Sequence, residues 1–174
     1  MFFMTNYYIN IAKKAIEEYL RNGEKLKIDL DAKKSTDRKG VFVSLKKNGR
    51  LRGCIGTIKG RYPLEEEIVN NAIAAATEDP RFYPVSADEL NDLEISVDIL
   101  EPEESVDDIS ELDPKTYGVI VEEGYKRGLL LPNLEGVDTV QEQIQIAKEK
   151  AGIVGDDFNI KRFKVTRYER SWLL

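Results

Sequence analysis

The chain has 174 residues, 41% of them apolar, with a net charge of −6, one cysteine and no histidine. This suffices for one ordinary packed domain, and it excludes intrachain disulfides, Ser-His and Cys-His dyads and imidazole-bound zinc. No motif specifies a carboxylate-only magnesium site, so no metal ligands are assigned and the cofactor is left unknown.

The first residues, Met1-Phe2-Phe3-Met4, are apolar, but Thr5, Asn6, Lys13 and Lys14 follow too soon for a signal-peptide core or a membrane span. With one cysteine and no such segment, a cytoplasmic protein is expected. Residues 7–21 place Tyr8, Ile9, Ala12, Ile16, Tyr19 and Leu20 on one face of an amphipathic helix, with Gly23 as its stop. After the polar, turn-rich Lys33-Lys34-Ser35-Thr36-Asp37, a strand runs from Gly40 to Leu45 and ends at Asn48-Gly49. That dipeptide is the strongest short hairpin signal, because both central residues of a type I′ turn need positive φ. Leu51 to Ile58 is the returning strand. Pro63 then opens a helix that carries Glu65, Glu66 and Glu67 at its positive end, spaces Leu64, Ile68, Ala72 and Ala76 helically, and ends at Pro80. Ser86-Ala87-Asp88-Glu89 is a capping box opening a short helix, and Leu93 to Ile99 alternates as a half-buried strand does.

The second half repeats this order. Gly118-Val119-Ile120-Val121 resembles Gly40-Val41-Phe42-Val43, and Gly124-Tyr125-Lys126-Arg127-Gly128-Leu129-Leu130 resembles Gly49-Arg50-Leu51-Arg52-Gly53-Cys54-Ile55. A helix over Thr139 to Ala151 follows, with the capping box Thr139-Val140-Gln141-Glu142 and Gly152 as its stop, and then a strand over Arg162 to Tyr168. The pattern predicts a diverged duplication of a hairpin, helix, strand unit, with pseudo-repeats at about 40–100 and 118–168. Each half reads as too small to cover its own sheet face, so one shared core is expected. Short Gly-Val strands also recur by chance; the shared Arg-Gly pair favours duplication.

Charge is segregated along the chain. Residues 21–61 hold 13 Lys and Arg against 4 Asp and Glu, and residues 62–124 hold 2 against 19. Runs of this kind usually form solvated faces, and the acidic half argues against nucleic acid as a partner of the basic one.

With Asn48-Gly49 as a two-residue turn, Lys47 is expected opposite Arg50, Leu45 opposite Arg52, Ser44 opposite Gly53 and Val43 opposite Cys54. Arg52 and Cys54 would then share a face, and the cation would favour the thiolate. In one reading Arg52 holds a small anion and Cys54 is nucleophile or contact; in the other Cys54 packs beside Val43 and Leu45 as buried free cysteines do. Gly53 and Gly56 would admit a ligand or another backbone, and Thr57 adds a hydroxyl. Glu78-Asp79-Pro80-Arg81-Phe82 sits where a helix meets a loop, either as a functional loop or as a helix stop with Phe82 in the core and Arg81 on the last carbonyls.

Leu51-Arg52-Gly53-Cys54-Ile55-Gly56-Thr57, Asp79-Pro80-Arg81-Phe82 and Gly128-Leu129-Leu130-Leu131-Pro132 resemble the AMMECR domain in order and spacing over nearly the whole chain. Bacterial and archaeal relatives are called AmmeMemoRadiSam system protein A. The resemblance implies an α+β fold, residues 1–174 forming a single domain, with two repeats in one curved, barrel-like, mainly antiparallel sheet and flanking helices. It implies no established reaction, and the partners it implies are a radical-SAM protein and a Memo-like protein. Carried over residue by residue, the site is Arg52, Gly53, Cys54, Gly56 and Thr57, with Asp79 and Arg81 as neighbours. Where relatives carry histidine before the glycine matching Gly118, this chain has Tyr117. Three functions follow as expectations: small-molecule or substrate binding, with Cys54 the candidate catalytic residue; a non-catalytic partner subunit; and, least favoured, nucleic-acid binding through residues 21–61.

Overall fold

The computed structural model describes residues 2–28 and 37–170. Residues 33–36 of the expected turn, part of the basic segment, and the side chains of the apolar start lie outside the described residues. The chain forms α1 (Phe2–Asn22), the hairpin β1 (Val41–Lys47) and β2 (Arg50–Thr57), α2 (Leu64–Thr77), β3 (Leu93–Leu100), the short β4 (Glu104–Ser105), a second hairpin β5 (Gly118–Glu123) and β6 (Lys126–Leu130), α3 (Val140–Ala151), β7 (Asn159–Phe163) and β8 (Val165–Glu169). Asn48 and Gly49 both have positive φ, 52° and 73°, as the type I′ turn requires. The capping boxes at Ser86 and Thr139 are both formed, and Gly152 ends α3 in the left-handed region at φ 69°.

The fold is α+β with antiparallel sheets. The barrel-like single sheet is overturned: the strands make two four-stranded sheets, ordered β2-β1-β3-β8 and β4-β7-β5-β6, and neither closes. Closure removes edges, whereas among the described residues β2, β8, β4 and β6 remain as edges. The expected strand over Arg162 to Tyr168 is interrupted at Lys164, so that β7 belongs to the second sheet and β8 to the first.

The chain divides into two compact units, one of the described residues up to Ile99 with Arg167 to Arg170, the other Leu100–Thr166. The expected shared core gives way to two apolar clusters. In the first unit Ile9, Ala12 and Ile16 of α1 and Ile68, Val69 and Ala72 of α2 join Val41, Val43 and Leu45 of β1. Tyr19, expected on that face, is 37% exposed at its margin, and Ile11 and Ala15 are buried instead. In the second unit Val119, Val121 and Leu130 pack with Ile144 and Ala147 of α3. Each unit thus has a central strand, β1 or β5, with an antiparallel neighbour on either side and a helix packed on the hairpin. One glycine in each hairpin makes that packing close. A Cβ on Gly53 would lie 2.1 Å from the Ala75 carbonyl oxygen of α2, and one on Gly128 would lie 2.0 Å from that of Ala147 in α3. No helix among the described residues is long and apolar enough to cross a membrane.

Candidate functional site

Lys47 faces Arg50 beside the turn as expected, but beyond that pair the hairpin register differs from the expected one. A bulge on β2, opposite the step from Leu45 to Lys46, takes up Arg52, so Ser44 faces Cys54 and Leu45 faces Gly53. The extra residue turns β2 by one position: Gly53 lies against α2, and Cys54 projects from the other face of the sheet, opposite Ser44 and not Val43. Ser44 Oγ and Cys54 Sγ are 3.2 Å apart, and both residues are half-buried. Ser96 of β3 faces Ser44 from the other side, and Asp98 faces Phe42, so this face carries a polar row through the middle of the sheet.

The outer edge of β2 is closed by side chains. The Cys54 N–H donates to Asp79 Oδ2 at 2.9 Å, and the Cys54 carbonyl accepts from Arg81 Nη2 at 3.5 Å. Asp79 and Arg81 take the place a neighbouring strand would occupy. They are also tied to each other, Nε to Oδ1 at 3.0 Å and Nη2 to Oδ2 at 2.8 Å, with the Arg81 N–H on Oδ1 as well. The Asp79 side chain is 2% exposed and the Arg81 side chain 55%. The Arg81 guanidinium holds the Asp79 carboxyl well below the usual carboxylate range, and the Cys54 N–H adds to the effect. The sequence-level capping role for Arg81 is replaced by this one: its partners are Asp79 and Cys54, whereas the last turn of α2 ends with the Glu78 N–H on Ala74.

Arg52 points elsewhere. Its Nε and Nη2 hold both carboxylate oxygens of Glu89, at 3.1 and 3.0 Å, and Nη1 and Nη2 reach the carbonyls of Tyr83 and Pro84. A bidentate pair of this kind fixes geometry as well as charge, and it pins the segment from Tyr83 to Glu89 onto the hairpin. Arg52 and the Ser86 N–H bring Glu89 down to about 2. The cation beside the thiol is therefore Arg81. Burial pushes the Cys54 thiol up, and Asp98 and Asp79 push the same way, against the Ser44 hydrogen bond and the Arg81 charge. The expected thiolate gives way to a thiol held neutral at neutral pH.

Thr57 lies in a separate buried network. Its hydroxyl donates to Glu67 Oε1 at 2.6 Å and receives Asn71 Nδ2 at 3.2 Å, while Glu67 Oε2 accepts the N–H groups of Arg61 and Tyr62. Gly56 makes room for the Phe42 ring, whose Cγ would lie 2.3 Å from a Cβ there. The structure thus brings Cys54, Asp79 and Arg81 together, and separates Arg52 and Thr57 into neighbouring networks. Two further residues complete the polar face. Asp98 is buried, and Arg167 of β8 grips it through Nε and Nη2 at 2.7 and 2.8 Å. The alternation of Glu94, Ser96 and Asp98 marked one polar strand face, but nothing local in the sequence pairs Asp98 with an arginine 69 positions away. Among the described residues no group of three or more His, Cys, Asp or Glu side chains is arranged to hold a metal ion.

Comparison with known proteins places these motifs in a family context. The profile of the family described as AMMECR1 matches residues 9–173. A protein of Thermotoga maritima is 56% identical over 168 residues, covering 93% of this chain and 97% of that one. A protein of Clostridium acetobutylicum is 51% identical over 94% of this chain, which spans only 36% of that longer protein. The crystal structure of an uncharacterised protein from Pyrococcus horikoshii is similar at a TM-score of 0.85 and 31% identity, covering 93% of this chain and 89% of that one.

Proposed function

The chain belongs to the AMMECR1 family, and from that premise we propose that its first unit is a small-molecule or substrate-binding module whose ligand lies on the half-buried polar face around Cys54. The observation that carries this reading is the setting of the thiol. It meets Ser44 on one face of the sheet, its own backbone on the edge strand is held by Asp79 and Arg81, and Asp98 with Arg167 adds to the same face. Polar side chains are costly to half-bury without a purpose, and ligand sites fix their ligands with a few convergent polar groups. In this reading Cys54, Asp79 and Arg81 contact or position the ligand, Gly53 and Gly56 shape the strand, and Arg52 and Thr57 hold the hairpin. A raised thiol suits Cys54 as a hydrogen-bonding contact better than as a resting nucleophile.

Thermal-shift screening against a metabolite library tests the reading, since a ligand at about 100 times its Kd adds about 2.7 kcal/mol of stability. A true ligand raises Tm and slows alkylation of Cys54, the chain's one thiol. Ligands that stabilise the fold without shielding Cys54 would place the site elsewhere.

A second reading is favoured by the Clostridium relative, in which the matched region is joined to further sequence. In this reading the domain is a subunit that docks onto a radical-SAM or Memo-like partner. We also read the two hairpins as diverged copies of one unit, supported by the Arg-Gly pair and the matching glycine-to-helix approach, and the protein as cytoplasmic, supported by its single cysteine.

A further inference from the structure

The basic segment and the Thr57 network, both unused by the Cys54 face, meet at one loop. Residues 58–62 join β2 to α2, and Glu67 fixes them from beneath. It is 2% exposed, takes the Thr57 hydroxyl on Oε1 at 2.6 Å, and takes the N–H groups of Arg61 and Tyr62 on Oε2 at 2.9 and 3.0 Å. A buried carboxylate is thus spent on two loop amides, while the Arg61 side chain stays outside, exposed. Two glycines press this loop onto the entry to β1. A Cβ on Gly60 would lie 2.4 Å from the Lys39 carbonyl oxygen and 2.8 Å from the Arg38 carbonyl carbon. One on Gly40 would lie 2.3 Å from the Ile58 carbonyl oxygen. Backbone contact this close sets Arg38 and Lys39 against Lys59 and Arg61, so four cations share two abutting stretches.

Nearby acids do not balance them. Among the described residues Arg38, Lys59 and Arg61 enter no ion pair, Glu66 is taken by Lys25 at 3.3 Å, and Asp37 is the acid adjoining them in the chain. Like charges side by side repel, and solvated ones usually spread apart. Here the fold draws them together and holds the loop by its backbone, as a supported binding loop is held. Tyr62, 45% exposed, stands beside Arg61 with Lys25 Nζ 5.7 Å from its ring centroid.

We infer that this loop is a binding site separate from the Cys54 face, which receives the phosphate groups of a small phosphorylated molecule on Arg38, Lys59 and Arg61, with Tyr62 at its margin. A carboxylate brings one negative charge, whereas a phosphate ester brings about −1.5 to −2 at neutral pH and a polyphosphate more. Three unpaired cations match the latter, and arginine forks pair phosphate oxygens two at a time. A polynucleotide fits less well, because its affinity comes from many phosphate contacts along an extended line and the loop offers a compact cluster. The inference holds whatever the ligand of the Cys54 face.

Titration calorimetry of the full chain with inorganic tripolyphosphate, at about 0.15 M salt, tests it. One charge contact in water corresponds to about a 5-fold gain in affinity. The expected result is saturable binding at one site, weakened about 5-fold by Lys59→Gln or Arg61→Gln and about 25-fold by both. Both side chains are exposed and unpaired, so the thermal melt should not change. Lys46→Gln removes an exposed cation from the far end of β1 and should leave the affinity as it was. Glu67→Gln reads the shape of the loop. It removes a negative charge from beneath the cations, so a merely electrostatic patch would bind more tightly, whereas a loop held in place by Glu67 binds more weakly. No binding at this salt, a loss in Lys46→Gln equal to that of the loop variants, or tighter binding in Glu67→Gln overturns the inference. So does a short single-stranded RNA that binds more tightly than tripolyphosphate, which would make the loop a nucleic-acid face.

Discussion

Strands β2 and β6 are both sheet edges, both carry an Arg-Gly pair, and in both the glycine admits a helix carbonyl where a methyl group would collide. Beyond that shared step they part. Cys54 follows Gly53 and meets Ser44, with its N–H and carbonyl bound by Asp79 and Arg81; Leu129 follows Gly128, is buried opposite Ile120, and has its carbonyl bound by Lys150. Arg52 is spent on a loop, through Glu89 and two carbonyls. Arg127 is spent on Glu103 and Glu122, which also hold Lys161. The glycine therefore answers to packing in both units. The residue after it distinguishes a unit that presents polar groups from one that fills a core.

The largest expected effect tests the shared part. Gly53→Ala and Gly128→Ala should each cost about 3 kcal/mol by overpacking against α2 or α3, read by chemical denaturation with hydrogen exchange to assign the loss to its unit. If one is silent, the two glycines do different work. Arg52→Ala should come next, at about 2 kcal/mol, with the loss concentrated in the exchange of residues 83–92. Arg127→Ala should cost about 1 kcal/mol, because Lys161 stays with both carboxylates. Equal costs would remove the distinction between loop staple and charge cluster.

A smaller effect is in pH. Glu89 falls from the ordinary 4.5 to about 2 in the fold, chiefly through Arg52. The folded value is the lower one, so its stabilisation is full above about pH 4.5 and is lost as pH falls toward 2. Glu89→Gln should flatten the acid limb of a stability profile between these values; an unchanged limb would mean that Arg52 gains little from the pair.

Much of this was legible in the chain. Asn48-Gly49 demanded a hairpin, the capping boxes demanded helix starts, and Gly118 to Leu130 read as a second hairpin. The bulge at Arg52 was not, because it goes with the approach of Gly53 to α2, a contact between elements that no local pattern carries, and it moved Cys54 from Val43 to Ser44. Two open sheets replaced one because the alternation in β3 and β7 is the same whether a sheet closes or stops. The Asp98–Arg167 pair joins strands 69 positions apart, beyond any local pattern. Asp79-Pro80-Arg81 was visible as a loop motif, but its grip on the edge of β2 needed the third dimension.

The contrast between the hairpins is tested most directly by thiol labelling at the residue that follows the glycine in each. In native protein Cys54 should react with iodoacetamide at a rate set by local access. In a Cys54→Ser, Leu129→Cys protein the thiol should react only at the rate of unfolding, since Leu129 is 5% exposed. Cys54 reacting only at the unfolding rate, as slowly as the thiol of the second hairpin, would contradict the account and return the residue to the core.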